Sequence, residues 1–425
     1  MSGIGDMYKE KEKEAYYFTD KRGDSMLFIV NATLYPMASE MPEVVERGCV
    51  AVEGGKIVRV GTGFSCQDLS SERRRPGEKQ EEDVYIDAGG SWVMPGIIEA
   101  HCHMGITEEK KGAEGDDCNE VVDPITPQLR ALDAINSMDA AFDDAVRAGI
   151  TSAMIGPGSS NVVGGQFAFV KTKGRRIDDL IVLAPAAMKV AFGENPKVNY
   201  GGLDRSPATR MAIAAMLREE LTKACAYRSK KQAGGTGFEE DFHYEAWLPV
   251  VEGKIPLKAH VHRVDDIFTA IRIAREFGLS MTLDHCSEGH MIAEEIRASG
   301  FPAIVGPDLA SRSKIEVQNM AFKTAGVLHA HGVKVAITTD HPVSIIASLP
   351  LCAGLAVKAG LPLMEGLRAI TINAAQICHT ADRVGSLEEG KDADIAIFDG
   401  NPMETFTNTL MTIIDGKIVY RNTHF

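Results

Sequence analysis

The 425-residue chain has no stretch of about 18 or more apolar residues, so it offers no helix able to span a bilayer. Its first residues, Met1 to Asp24, are charged and polar, unlike the apolar core of a secretion signal. Cationic excess is missing as well. The formal net charge is −14, which argues against the clustered Lys and Arg that track a nucleic-acid backbone. The compact basic run Arg73–Arg75 is flanked by Glu72 and Glu78 and reads as a solvated loop. The eight cysteines, at 49, 66, 102, 118, 225, 286, 352 and 378, contain no Cys-x-x-Cys pair and no closely spaced framework. Reduced thiols and a cytoplasmic location are therefore expected. No Gly-Lys-Ser/Thr and no Gly-x-Gly-x-x-Gly opens a helix, so a phosphate cradle is not indicated. What remains is a small-molecule partner, with neither nucleic acid nor membrane.

The informative feature present is His101-Cys102-His103 at the end of the apolar run Trp92 to Ala100. Side chains two apart on a strand point to the same side, so both imidazoles can close on one cation. Further metal-ligand residue types follow, each after a short and mostly apolar run: His260 after Ile255–Ala259, His285 after Leu279–Asp284, Asp340 after Val333–Thr339. Between these runs lie segments of helical period. In Asp265–Phe277, Ile267, Ala270, Ile271 and Ala274 share one face; Ala321–His331 is a second such segment. Strands alternating with helices imply a parallel sheet, and polar residues at many strand C-termini are where a closed (β/α)8 TIM barrel gathers its active site.

The expected fold class is thus α/β, a barrel over 93–380 with a small β-sandwich formed from both ends of the chain, 26–92 and 381–425, behind a polar extension over 1–25. The terminal pieces carry short β-type runs (Met26–Val30, Cys49–Glu53, Lys56–Val60, Asp394–Phe398, Met411–Ile414, Lys417–Tyr420) and the turns Gly54-Gly55 and Asp415-Gly416. Neither piece has enough strands to cover a hydrophobic face alone. An insertion around 219–246, with Arg228-Ser-Lys-Lys-Gln232, Gly234-Gly235 and acidic Glu239–Asp241, is read as mobile, either a lid or a plain surface excursion.

Taken together, Met94–His103, Leu257–His260, Thr282–His285, Ile337–Asp340 and Val384–Asp394 resemble the amidohydrolase superfamily, and more closely its bacterial branch related to imidazolonepropionase. The similarity runs from about Phe28 to Tyr420. The resemblance implies that His101, His103 and Asp340 bind a more buried divalent cation and that His260 and His285 bind a second one nearer solvent. It also implies a bridging anion, for which Lys189, carboxylated, and Glu194 are the candidates. Their numbers differ in parity, so on one regular strand they face opposite sides. Ligands belong at the C-terminal strand end, which favours Glu194. Histidine and carboxylate ligands suit zinc, one or two ions per chain, with manganese or iron as alternatives.

The expected chemistry is hydrolysis of an amide or cyclic amide C–N bond of a small molecule by a metal-bound hydroxide, with Asp340 as general base and then general acid. An alternative is a mononuclear imidazolonepropionase-like hydrolase or deaminase, in which His285 polarises the substrate. A non-catalytic barrel scaffold is a third reading, from a different class. His262, on the same face as His260, is expected to orient substrate or support a ligand, and His341, next to Asp340, to line the rim. Gly164 and Gln166, in the glycine-rich stretch Gly156–Gln166, are candidates for substrate contact through close backbone approach. The acidic loop Glu114–Asp123 after the His-x-His strand reads as solvated charge. Members of this family are often dimers or higher, so a homo-oligomer is expected.

Overall fold

The computed structural model describes residues 25–65, 69, 83–109, 112–234 and 237–423. The expected polar extension up to residue 24, Cys66 and the run Arg73–Arg75 lie outside the described residues. Strands β1 (Leu27–Leu34), β2 (Val45–Glu53), β3 (Lys56–Gly61), β4 (Val84–Asp87) and β5 (Trp92–Pro95) precede the barrel strands. These are β6 (Ile97–Cys102), β7 (Ile150–Ile155), β8 (Val163–Lys171), β9 (Ile181–Ala191), β10 (Leu257–Val261), β11 (Met281–His285), β12 (Ala303–Val305) and β13 (Val335–Ile337). The chain returns in β14 (Ile395–Phe398), β15 (Thr409–Ile414) and β16 (Lys417–Arg421).

Eight strands, three from the tail and five from the head, share one sheet in the order β16-β15-β14-β5-β1-β2-β3, with β4 also on β1. Head and tail meet where β14 pairs antiparallel with β5, Ala396 opposite Met94. Alternating residues bury one face: Ile29, Val50, Val52, Val93, Ile395, Ile397 and Ile413 share a core cluster. The two-ended unit is, in its hydrogen bonding, a single continuous sheet, whereas a sandwich was expected. Tight hairpins bend it: β2 turns into β3 through Gly54-Gly55, and β15 into β16 through Asp415-Gly416, whose φ of 49° and 73° suit the primed turns that match strand twist.

The second sheet runs in sequence order from β6 to β13, the nearly closed barrel. It departs from eight parallel βα units at one place. β8 runs antiparallel to both β7 and β9, and residues 156–162 connect β7 to it directly, with no helix between. All nine residues of β8 are buried, so its sequence carries neither a polar alternation nor a helical period to announce it. Between β13 and β6 side chains take over the closure. Glu99 accepts from Thr339 N (2.9 Å) and Oγ1 (2.6 Å), Thr338 Oγ1 donates to His101 O (2.6 Å), and His103 N donates to His341 O (2.8 Å).

Helices α1 (Ala140–Arg147), α2 (Glu194–Gly201), α3 (Arg210–Ala233), α4 (Val264–Phe277), α5 (Ala293–Ser299), α6 (Lys323–Ala330) and α7 (Leu349–Lys358) belong to the barrel part of the chain. The stretch read as a mobile insertion is for the most part α3. Thr209 Oγ1 caps it by accepting from Ala212 N, and Ile213, Leu217, Leu221 and Ala224 bury a helical stripe in the same core as the barrel strands. That stripe begins well before residue 219, which is why reading from there missed it. Among the described residues, no helix is long and apolar enough to cross a membrane.

Candidate metal centre

Six polar side chains converge at the C-terminal ends of five barrel strands. His101 is the penultimate residue of β6 with His103 one residue beyond its end, Lys189 lies on β9, His260 on β10, His285 closes β11, and Asp340 follows β13 by three residues. Four of the rings at the ends of β6, β10 and β11 have Nδ1 engaged. His101 Nδ1 lies 2.8 Å from Asp284 Oδ2, His103 Nδ1 2.7 Å from Gly156 O, His262 Nδ1 2.8 Å from Ser287 Oγ, and His285 Nδ1 2.9 Å from Gly306 O. At His101, His103 and His285 the acceptor is a carboxylate or carbonyl, which fixes the tautomer and leaves Nε2 as the lone-pair atom; the Ser287 hydroxyl, able to donate or accept, does not fix His262.

Those Nε2 atoms turn inward. His103 Nε2 is 3.1 Å and His101 Nε2 3.6 Å from Asp340 Oδ1, and Lys189 Nζ is 3.2 Å from His101 Nε2. Two compact groups result, His101/His103/Asp340 and His260/His262/His285, each with one ligand atom per residue within 4.8 Å of the others. His285 Nε2 and Asp340 Oδ1 are buried without a hydrogen-bond partner. Buried polar atoms are seldom left so, and an imidazole and a carboxylate oxygen share one natural partner, a cation. The donor set therefore fits a divalent metal. The backbone is strained at the same points: His285 (φ 72°), Cys286 (φ 52°) and Asp340 (φ 51°) occupy the left-handed region that non-glycine residues rarely adopt.

Electrostatics agree with neutral ligands. Burial pushes His101, His260 and His285 well below the usual histidine range, assisted at His101 by the Lys189 and Lys258 cations and at His260 by the His262 and Lys189 charges. Burial also takes His262 down to about 4. His103 differs: burial opposes its cation, but Cys118 and Asp340 outweigh that and push it up to about 10. Lys189 is brought down to about 8 by burial.

Lys189 and Glu194 are separated by the fold. β9 ends at Ala191, so Glu194 is off the strand; it opens α2, and its Oε2 accepts from Glu316 N (3.2 Å). Lys189 is fully buried inside the barrel, where it pairs in register with Lys258 and both ammonium groups lie over the Phe167 ring, at 5.6 and 5.3 Å. A lysine stem climbs several ångströms above its own Cα, so Lys189, deep in β9, reaches His101 Nε2.

His341 lies buried behind His103, its Nδ1 accepting from Ile346 N and its Nε2 3.8 Å from Glu109 Oε1. Gly164 packs on the Lys189 stem, with its missing Cβ position 3.3 Å from Lys189 Cγ. Gln166 turns its amide to Pro127 O, toward the loop before α1. Cys102 and Cys286 are buried with thiols raised by burial, and neither joins the two groups. Sequence reasoning missed four participants. Asp284 supports His101 and is itself 3.2 Å from Lys258 Nζ, both fully buried. Cys118, in the acidic loop, is held below the usual thiol range despite burial by the His103 charge and a hydrogen bond to it. Glu316 faces His260 and His262. For Lys258 and Asp284, their places two before His260 and one before His285 were the available signal; for Glu316 there was none.

Residues 92–419 match the amidohydrolase family, and the chain belongs to it. It is a hydrolase of carbon–nitrogen bonds. An amidohydrolase from Thermotoga maritima MSB8 superimposes with a TM-score of 0.85 at 36% identity, covering 93% of this chain and 100% of that one. The amidohydrolase tasK of Hapsidospora irregularis is 28% identical over 87% of this chain, which spans only 39% of that longer protein. An imidazolonepropionase from Geobacillus thermodenitrificans is 26% identical over 94% of this chain and 97% of its own length.

Proposed function

We propose that this chain is a metal-dependent amidohydrolase that opens an amide or cyclic amide bond of a small molecule, with Asp340 as the proton carrier. The supporting observation is the ring of imidazoles whose Nδ1 atoms are engaged and whose Nε2 atoms face Asp340, Lys189 or one another in a buried pocket. In this reading His101, His103 and Asp340 hold one divalent cation, His260 and His285 a second, and a carboxylated Lys189, rather than Glu194, bridges them. Zinc is the preferred ion. A bound divalent cation supplies an activated water, its pKa lowered toward about 7, and polarises the scissile carbonyl.

The remaining work falls to side chains. Asp340 carries an oxygen with no hydrogen-bond partner and is held below the usual carboxylate range, against burial, by His285 and His103. It accepts the proton of the attacking water and returns it to the departing nitrogen, a base turned acid. Gly164 and His262 border the substrate. A second reading is favoured by relatives named imidazolonepropionase and 5-methylthioadenosine/S-adenosylhomocysteine deaminase. There one cation sits on His101, His103, His260 and Asp340, and Lys189 is dispensable.

The test is a screen of N-acyl amino acids, dipeptides, hydantoins and imidazolones, run beside elemental analysis of the purified protein. Two equivalents of metal with amide turnover, both lost in Lys189→Ala, support the first reading. One equivalent, with turnover kept in Lys189→Ala, supports the second.

A further inference from the structure

Glu316 occupies a short 3-10 turn (Ile315–Val317) between β12 and α6 and is 1% exposed. One carboxylate oxygen is satisfied: Oε2 accepts from Glu194 N at 2.9 Å. The other, Oε1, is buried without a hydrogen-bond partner. It sits 3.6 Å from His260 Nε2 and 3.9 Å from His262 Nε2. Lys314 Nζ, 3.7 Å away on a half-exposed side chain, is engaged by Asn195 Oδ1 at 2.5 Å.

That Lys314 contact settles the neighbouring donors and acceptors. With Oδ1 taken, Asn195 Nδ2 donates to Ser159 Oγ (2.7 Å) and leans toward His260 Nε2 (3.4 Å), so the histidine atom accepts and has no proton for Glu316. His262, with Nδ1 on Ser287, presents its own Nε2. Two imidazole nitrogens and a carboxylate oxygen thus face one another, with the Lys314 ammonium 3.7 Å from the carboxylate. Asp266 adds negative charge behind them, its Oδ2 crowding the Gly193 position that Glu316 Oε2 also approaches, with Arg210 as its counter-charge. Such a corner calls for a cation.

Spacing separates a metal from an ammonium. Ligand atoms bonded to one tetrahedral metal at about 2.0–2.2 Å lie about 3.3–3.6 Å apart. Acceptors gathered round an ammonium at about 2.9 Å lie about 4.7 Å apart. The observed 3.6 and 3.9 Å stand close to the first figure. We infer that Glu316 and His262 are ligands of the second cation, so that the outer site of this chain is His260, His262, His285 and Glu316. This rests on the two-cation reading above and adds to it a carboxylate that the sequence pattern does not contain.

The test is titration of chelator-stripped protein with Co2+, followed by calorimetry and by the visible ligand-field bands. Wild type takes up two equivalents. Glu316→Gln and His262→Asn each keep the first with unchanged affinity and bind the second at least tenfold more weakly, with its bands shifted or lost. If both variants bind the second ion as tightly as wild type with the same spectrum, the inference is overturned while the two-cation reading stands. If wild type itself takes up a single equivalent, both fall. Apoprotein melting temperatures within a few degrees of wild type establish that each variant folds, and His262→Asn carries the test should Glu316→Gln not fold.

Discussion

What holds the far side of a histidine decides which ring nitrogen it can offer a metal. His101 donates Nδ1–H to Asp284, which Lys258 neutralises from beneath, and every member of that chain is fully buried. Asp284→Asn therefore weakens metal retention by about 10- to 100-fold, as loss of such support does elsewhere; competition with a chromogenic chelator reads it directly. His101→Ala and Asp340→Asn each abolish turnover while circular dichroism stays unchanged. Substantial activity in either variant contradicts the assignment of the two residues. At this scale the sequence was informative wherever a side chain and its backbone share a strand end, as at His101, His103, His260 and His285. It was silent where reach or distant contact decides. Lys189 Nζ meets His101 by the length of its stem, and Glu316 nears His260 through a turn that borrows the first amide of α2.

Elements place these residues through a few intolerant backbone positions. β8 reverses direction beside the site, and at Gly165 its backbone takes Leu129 O at close range: φ is 124°, and a Cβ there would stand 2.5 Å from Leu129 O. Gly165→Ala combines strain with a backbone clash and should cost about 2–4 kcal/mol in a denaturant titration. Thr209→Ala removes the cap of α3 and should cost about 1 kcal/mol, with no change in metal content. A larger loss of metal would mean that α3 supports the site as well as the core. α4 was legible because its apolar stripe is clean, Ile267, Ala270, Ile271 and Ala274 all being buried. β8 was not, because a strand buried on both faces shows no period.

The whole molecule is tied together at the opposite end of the barrel. The reversed β8 carries Lys171 away from the site, to Asp394 (2.6 Å) and Asp392 (3.0 Å) just before β14, with Asp415 at 3.3 Å. Lys171 is 4% exposed at its side chain, so Lys171→Met strands buried carboxylates and should cost about 3–5 kcal/mol. The pH dependence follows in sign. Burial opposes the ammonium, but Asp394, Asp415 and Asp392 together raise it above the ordinary 10.5. Its contribution is therefore complete below about pH 10.5 and fades as pH climbs through the higher folded value. The melting-temperature gap between wild type and Lys171→Met should hold from pH 7 to 9 and narrow above 10.5. A gap that widens there would refute the anchor. That the two chain ends form one unit could be read from hairpin signals at both; that a buried lysine joins the sheet to the barrel could not, because Lys171 lies more than two hundred residues from the acids it meets.

The central claim is that the imidazoles and Asp340 hold metal and that hydrolysis depends on it. Metal content and amide turnover measured on the same preparation, before chelation, after chelation and after addition of Zn2+, test this most directly. The account predicts one or two equivalents at the start, loss of both signals together, and their joint return. Metal-free protein that hydrolyses its substrate at the original rate would contradict it.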